Sequence, residues 1–156
     1  MRSVYRFLAY AVAVEVVVQA MAMVYGIAGL GKWVEDGGVF DKSVMESEGS
    51  PFPEVAGLMI HGLNGMMLIP LIALALLISS FFAGIPGAVR WAGLVFLLVA
   101  LQITLGLVGH AVPAVGALHG LNALVLFSAA VVTARRGRDV APGTPSEPGA
   151  LLVTTD

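Results

Sequence analysis

Histidine and asparagine recur at matching places in two long apolar stretches of this chain. Residues 61–65 have the sequence HGLNG and residues 119–123 have HGLNA. His61 and His119 are two of only three histidines in 156 residues. Polar side chains in hydrocarbon-length segments are costly, so their repetition favours a function. Since neutral imidazole is a ligand for iron, copper and zinc, the doubled motif predicts two histidines that face each other and hold a metal.

A layer of side-chain amides is expected beneath the two histidines. Asn64 and Asn122 fall one helical turn deeper on the same faces, because residues i and i+3 are neighbours on a helix. Gln19 and Gln102 come to a similar depth when about 1.5 Å of rise is counted per residue from the outer ends of the spans. The predicted cofactor-binding residues are these amides, the small residues near the histidines and the third histidine above them: Gln19, Gly62, Asn64, Gly65, Gln102, His110, Gly120 and Asn122.

Two histidines complete the ligand set of few metal groups. They leave a tetrahedral zinc site half filled, and His110 has no counterpart in the repeat, where Ile27 stands. Two axial imidazoles do complete the coordination of a haem iron, whose other ligands come from the porphyrin. We therefore predict haem b with His61 and His119 as metal ligands. Such ligation leaves no open position for oxygen chemistry, which favours electron transfer or haem handling.

Other interpretations fit the same residues. The pocket could hold another metal, or a small apolar ligand such as a quinone or an isoprenoid. The polar side chains could also join helices through hydrogen bonds alone, in a structural or accessory subunit without a cofactor. The pattern identifies no catalytic residue and leaves open whether the chain is an enzyme.

Glu15 is the acid that lies deepest in a predicted span. It stands one turn below Gln19, where a carboxyl group is expected to be neutral or hydrogen-bonded to Gln19 or to a facing helix. A proton relay is the functional alternative. The methionines in the outer halves of the spans are expected to pack in the core or against lipid rather than to bind copper.

Composition places these residues in a membrane. Of the residues, 58% are hydrophobic and 12% are charged, whereas soluble domains are roughly 25% charged. Four stretches exceed the length of about 20 residues that a helix needs to cross the hydrocarbon layer. Their apolar runs are continuous rather than alternating, which favours helices over a barrel. The spans are expected at about 7–30, 55–82, 88–111 and 113–134.

Short connections at 83–87 and 109–113 predict antiparallel neighbours, and so an all-α, up-down-up-down four-helix bundle over residues 1–136. Gln19 and Gly26 of the first span match Gln102 and Gly109 of the third. Together with the repeated motif, this match predicts a bundle built from a duplicated two-helix hairpin. The two copies would then be related by a pseudo-twofold axis along the membrane normal.

Two segments lie outside the spans. In the loop at 31–54, Phe40, Val44 and Met45 could line a short interfacial helix, and a solvated loop is the alternative. The tail at 137–156 is rich in Pro, Gly, Ser and Thr, which predicts a disordered cytoplasmic segment.

The charges predict an orientation. Arg2 and Arg6 precede the first span, Arg90 lies between the second and third, and three arginines follow the fourth. The loop at 31–54 has two lysines among six acids. The positive-inside rule therefore places both termini in the cytoplasm and the histidines near the outer face of the plasma membrane. The first span is too long for a signal-peptide core, which favours a retained helix.

The absence of cysteine excludes disulfides, thiolate metal sites and iron–sulfur ligation. No basic surface for nucleic acid is evident. The expected partners are the lipid bilayer, haem and a membrane redox partner or second copy of the chain.

A membrane four-helix bundle with histidines on its second and fourth spans, near the outer face, resembles one half of a haem A synthase. His61 and His119 match the haem-ligand positions of that family by topology, and the resemblance covers the spans but not the tail. The chain carries one four-helix unit, its outer loop has no cysteine pair, and Met59 and Ile60 precede His61 where the family has an acid. The resemblance therefore implies a simpler b-type haem protein rather than haem A synthesis.

Overall fold

The computed structural model describes residues 1–46 and 49–138, except for the side chain of Met45. Helices are the only regular structure in this part of the chain. They are α1 (Arg2–Glu35), α2 (Lys42–Glu46), α3 (Val55–Leu63), a π-helical turn (Asn64–Leu68), α4 (Ile69–Ser80), α5 (Ala88–Gly109) and α6 (Pro113–Arg136).

Four helical stretches are long and apolar enough to cross a membrane: α1, the continuous second span Val55–Ser80, α5 and α6. They pack as a bundle in which α1 contacts both the second span and α6, and α5 contacts α4 and α6. The predicted all-α, four-helix membrane bundle is therefore confirmed, and the chain is a multi-pass membrane protein.

Contacts near the helix ends define the topology. The Arg2 guanidinium donates hydrogen bonds to the carbonyls of Ala83 and Gly84, at 3.3 and 3.2 Å. The start of α1 therefore lies beside the end of the second span. The Arg6 side chain packs against Gly137, so the start of α1 also lies beside the end of α6. Each helix thus runs antiparallel to its neighbours, with α1 and α6 closing the ring.

The helix ends follow local chemistry. Pro113 opens α6 directly after the extended residue Val112, since a missing N–H costs nothing in a first helical turn. Gly84 and Gly87 adopt positive φ angles of 61° and 73°, which turn the chain between α4 and α5. α1 runs beyond its predicted limits of 7–30 at both ends, since nothing in the flanking residues breaks a helix.

The loop after α1 contains the short helix α2, as one of the two interpretations expected. The Asp41 carboxylate accepts hydrogen bonds from the Ser43 hydroxyl and from the Ser43 and Val44 N–H groups, at 2.6, 2.9 and 3.2 Å. The Ser43 hydroxyl contributes most to holding the pKa of Asp41 below its ordinary value. In the predicted tail, Gly137 and Arg138 form a turn, and positions 139–156 lie outside the described residues.

The hydrophobic core fills only one half of the bundle. We call the half near residues 1 and 137 the packed half, because the buried hydrophobic residues of the spans all lie there: Tyr5, Ala9, Val12, Ala13, Ile69, Ala73, Leu76, Ala88, Ala92, Val95, Val99, Leu126, Ala129, Ala130 and Ala134. We call the other half the histidine half. The buried residues of its spans are polar or glycine: Gln19, Gly26, Gly29, Gly57 and Asn122.

A π-helical turn widens the second span from Asn64, the last residue of the first HGLN segment, to Leu68. The Ile69 N–H bonds to the carbonyl of Asn64, five residues earlier. Pro70 explains the wide turn, since it has no N–H for the carbonyl of Met66 and its ring would collide with that carbonyl in an α-helix. The corresponding part of α6 is continuous α-helix.

Candidate cofactor site

The histidine half brings the two histidines of the repeated motif together. His61 on α3 and His119 on α6 face each other with ring centroids 6.0 Å apart and ring planes inclined by 60°. Both side chains are half-buried. They belong to the second and fourth spans, which are diagonal in the ring of helices, so the imidazoles meet across its interior.

Each imidazole is held by the same kind of hydrogen bond. His61 Nδ1 lies 3.2 Å from the Gln19 carbonyl oxygen, and His119 Nδ1 lies 2.9 Å from that of Gln102. A carbonyl oxygen only accepts, so Nδ1 carries the hydrogen in both rings. In a neutral imidazole the other nitrogen, Nε2, then keeps its lone pair. Both rings therefore have the tautomer that can ligate a metal through Nε2.

In the second hairpin, formed by α5 and α6, the predicted amides complete a closed network. Gln102 donates through Nε2 to the His119 carbonyl at 3.0 Å. Asn122 donates through Nδ2 to Gln102 Oε1 at 2.7 Å and to the Leu98 carbonyl at 3.0 Å. The Gln102 backbone and side chain thus bind the same histidine residue, which fixes the position of its ring.

In the first hairpin, formed by α1 and the second span, the amides are arranged differently. Asn64 Nδ2 donates to Glu15 Oε2 at 3.3 Å. Gln19 is only 8% exposed, and its Nε2 has no hydrogen-bond partner among the described residues. Glu15 stands four residues before Gln19, as Leu98 stands four before Gln102. Its carboxyl group engages Asn64 in place of the glutamine amide, and it is therefore bonded to a facing helix.

The predicted glycines do not form the close helix contacts. A Cβ atom at Gly62 or Gly120 would meet nothing within 4 Å, and one at Gly65 would lie 3.6 Å from Gln19 Oε1. Gly62 and Gly120 therefore border open space.

The close approaches between helices occur nearer the helix ends. They lie between Gly26 and Leu58, between Gly57 and Ala22, and between Gly109 and Gly116.

Gly106 is a site residue that the repeated motif did not reveal. A Cβ atom there would lie 3.1 Å from both Cε1 and Nδ1 of His119. The missing side chain lets the imidazole lie against α5 and reach the Gln102 carbonyl. Gly106 lies four residues after Gln102 on the same helix face, and this spacing is the sequence feature that could have identified it.

His110 stands apart from the pair. It is exposed at the end of α5, and no contact in the described part of the chain links it to His61 or His119. Within that same part, no cluster of three or more His, Cys, Asp or Glu residues could hold a metal ion. These side chains thus form no three-ligand zinc centre around the imidazoles.

No protein-family model, curated protein or solved structure matches this chain. The resemblance to haem A synthases therefore stays a prediction. Any function for the site has to be argued from its own geometry.

Proposed function

We propose that this protein binds haem b between His61 and His119 and serves in electron transfer or haem handling. The spacing of the imidazoles carries the proposal. Metal–imidazole bonds are about 2 Å long and a ring centre lies about 1 Å behind its nitrogen, so two imidazoles on opposite sides of one ion have centroids about 6 Å apart. The observed separation is 6.0 Å.

The hydrogen bonds of the rings support the same assignment. The Gln19 and Gln102 carbonyls take the Nδ1 hydrogens and so leave Nε2 of each neutral ring with a lone pair for a metal. A backbone carbonyl behind a ligating imidazole fixes its tautomer and makes it a better donor to the metal. The Gln102 amide ties the backbone of His119 to α5 and itself accepts from Asn122, while the Gln102 carbonyl holds the ring through Nδ1.

Small residues next to the two histidines would limit steric conflict with a flat group. The spans of the histidine half bury no hydrophobic side chain, and a Cβ atom at Gly62 or Gly120 would meet nothing within 4 Å. Haem supplies a one-electron redox centre when it is bound. Small residues at this depth would let its faces approach the helix backbones.

An absorption spectrum of the purified protein tests the proposal. We expect a Soret band with split α and β bands on reduction, and about one haem per chain. His61→Ala and His119→Ala should each remove at least 90% of the bound haem, because one imidazole cannot complete the axial pair. His110→Ala is the matched control and should retain the wild-type spectrum. A colourless protein from cells supplied with haem would refute the proposal.

We also infer that the bundle is a duplicated hairpin with both termini in the cytoplasm. The duplication is supported by the shared histidine-to-glutamine hydrogen bond and by the glycines that follow each glutamine by seven residues, Gly26 and Gly109. The chain has no cysteine, so single-cysteine labelling is clean. An impermeant maleimide should label Ser50→Cys in intact cells and Ser3→Cys only after lysis. The reverse labelling pattern would show that the termini lie outside the cell.

One observation favours a second candidate, a small quinone in the same half. The buried Nε2 of Gln19 is a donor without a partner, and a quinone carbonyl would accept from it. Solvent extraction of the purified protein separates the candidates. A quinone recovered in proportion to protein, and lost in Gln19→Leu, would support the second candidate, whereas haem would be recovered if the first holds.

A further inference from the structure

A groove of about 710 Å³ opens at the end of the packed half, between the start of α5 and the end of α6. Two arginines, Arg90 and Arg136, lie at its charged end, and Arg136 is held over the Trp91 ring, 4.5 Å from the ring centroid. Away from the arginines the lining is aliphatic, and the exposed Leu94 and Leu97 follow the surface of α5 toward the middle of the membrane.

The described residues do not neutralise the charge of this groove. The ion pairs in the described part of the chain are Lys32–Asp36 and Lys42–Glu46, both at the opposite end. Arg90 makes no hydrogen bond or ion pair with any described residue. The surrounding helix ends add further arginines and no described carboxylate: Arg2, Arg6, Arg135 and Arg138. The groove therefore combines an anion-binding end with an apolar floor.

We propose that this groove is a binding site for an anionic phospholipid. The phosphate would lie between Arg90 and Arg136, since guanidinium groups bind phosphate oxygens through paired hydrogen bonds. An acyl chain would follow Leu94 and Leu97 into the hydrocarbon layer. A free phosphate would leave that aliphatic floor unused. Basic pockets between membrane helices recognise lipid head groups by this chemistry. The proposal is independent of the haem site.

Trp91 provides a reporter within the groove. The chain has two tryptophans, and Trp33 stacks on Phe52 near the opposite end, with centroids 5.6 Å apart. A Trp33→Phe background keeps an aromatic contact there and leaves Trp91 as the single tryptophan, which is excited selectively over the three tyrosines. The full chain is reconstituted in phosphatidylcholine vesicles that contain either brominated phosphatidylglycerol or brominated phosphatidylcholine. Bromine quenches tryptophan only on close contact.

We expect brominated phosphatidylglycerol to quench Trp91 half-maximally at a mole fraction about tenfold lower than that of brominated phosphatidylcholine. The reason is that each arginine near the surface favours an anionic lipid. Arg90→Gln/Arg136→Gln should abolish that preference. Arg135→Gln/Arg138→Gln removes the same charge from the same end but outside the groove, and should retain it. Arg90→Gln alone leaves the stacked arginine in place and should have an intermediate preference.

Three results would overturn the proposal. One is equal quenching of the wild type by both brominated lipids. Another is an equal loss of preference in both double variants, which would show diffuse attraction to the charged end rather than a site. The third is a preference for brominated phosphatidylglycerol that appears only when the chain is shortened to end at Arg138. That result would mean that, in the full chain, residues 139–156, with Asp139 and Glu147, occupy the groove themselves.

Discussion

The first and second hairpins of the bundle hold their histidines alike and surround them differently. In both, Nδ1 of the histidine bonds to the backbone carbonyl of a glutamine on the preceding span. In the second hairpin the Gln102 side chain also binds His119 and Asn122. In the first, the corresponding Nε2 of Gln19 has no partner.

Two residues account for the difference. Glu15 stands where the second hairpin has Leu98, and its carboxyl group engages Asn64. Pro70 lies just beyond the π-helical turn, which separates the first motif from the rest of its span. Neither feature touches the histidine-to-carbonyl bond. The hydrogen bond that holds each histidine is thus common to both hairpins, while the polar groups below it are specific to each.

The two hairpins therefore differ in how their polar side chains support the histidines. The second hairpin supports its imidazole through more hydrogen bonds, because the Gln102 and Asn122 side chains bond to each other and to backbone carbonyls. The first hairpin has a carboxyl group and a donor without a partner at the same depth. A ligand-responsive element is therefore expected in the first hairpin and not in the second.

The largest effect is expected from crowding His119. Gly106→Met introduces the residue found at the matching position of the first hairpin, Met23, and its Cβ would lie 3.1 Å from the imidazole. Overpacking of this kind costs about 1–3 kcal/mol. We expect the Kd for haem, measured by titration of haem-free protein, to rise about tenfold or more, which corresponds to a cost of about 1.4 kcal/mol or more in binding.

Met23→Ala is the matched control and should leave the Kd for haem within about twofold of the wild type. If Gly106→Met binds haem normally, the imidazole does not depend on its contact with α5, and the two hairpins are more alike than their side chains indicate.

The next effect separates the two asparagines. Asn122→Leu removes two hydrogen bonds and leaves Gln102 Oε1 without its donor in a buried site. We expect a loss of about 2 kcal/mol in the free energy of unfolding. Asn64→Leu removes one bond of 3.3 Å and should cost about 0.6 kcal/mol, an average value for such bonds in membranes.

Reversible unfolding in mixed detergent micelles measures both variants on haem-free protein, so that ligand binding does not contribute. Equal losses in the two variants would contradict the distinction between a closed and an open network.

The smallest effect is expected from making the first hairpin resemble the second. Glu15→Leu removes a carboxyl group from the membrane interior and frees Asn64 to donate to Gln19. Gln19 can then bond to the His61 carbonyl, as Gln102 bonds to that of His119. We expect the free energy of unfolding to rise by about 1 kcal/mol, since a donor without a partner becomes satisfied.

Glu15→Gln keeps a polar side chain at the position and is the control, with an expected change near zero. A marked loss of stability in Glu15→Leu would show that the carboxyl group is a structural partner of Asn64 and not a departure from the network.

Much of the architecture followed from the apolar runs. Pro113 and the glycines at 84–87 mark where helices begin and end, and the four spans match the observed helices within a few residues at most ends. The repeated HGLN segments pointed to His61 and His119 because polar residues in apolar spans are conspicuous. Gly106 and Glu15 were harder to place, because their roles depend on which side chain of another helix lies opposite them.

The sequence by itself therefore determined the number of spans and their antiparallel order, since these follow from hydrocarbon thickness, helical rise and loop length. Only the tertiary structure decided that the imidazoles lie 6.0 Å apart. It also decided which nitrogen each ring presents, and that the hydrophobic core ends below the histidines. These properties depend on the rotation and axial offset of each helix against its neighbours, which is a property of packed pairs and not of any one helix.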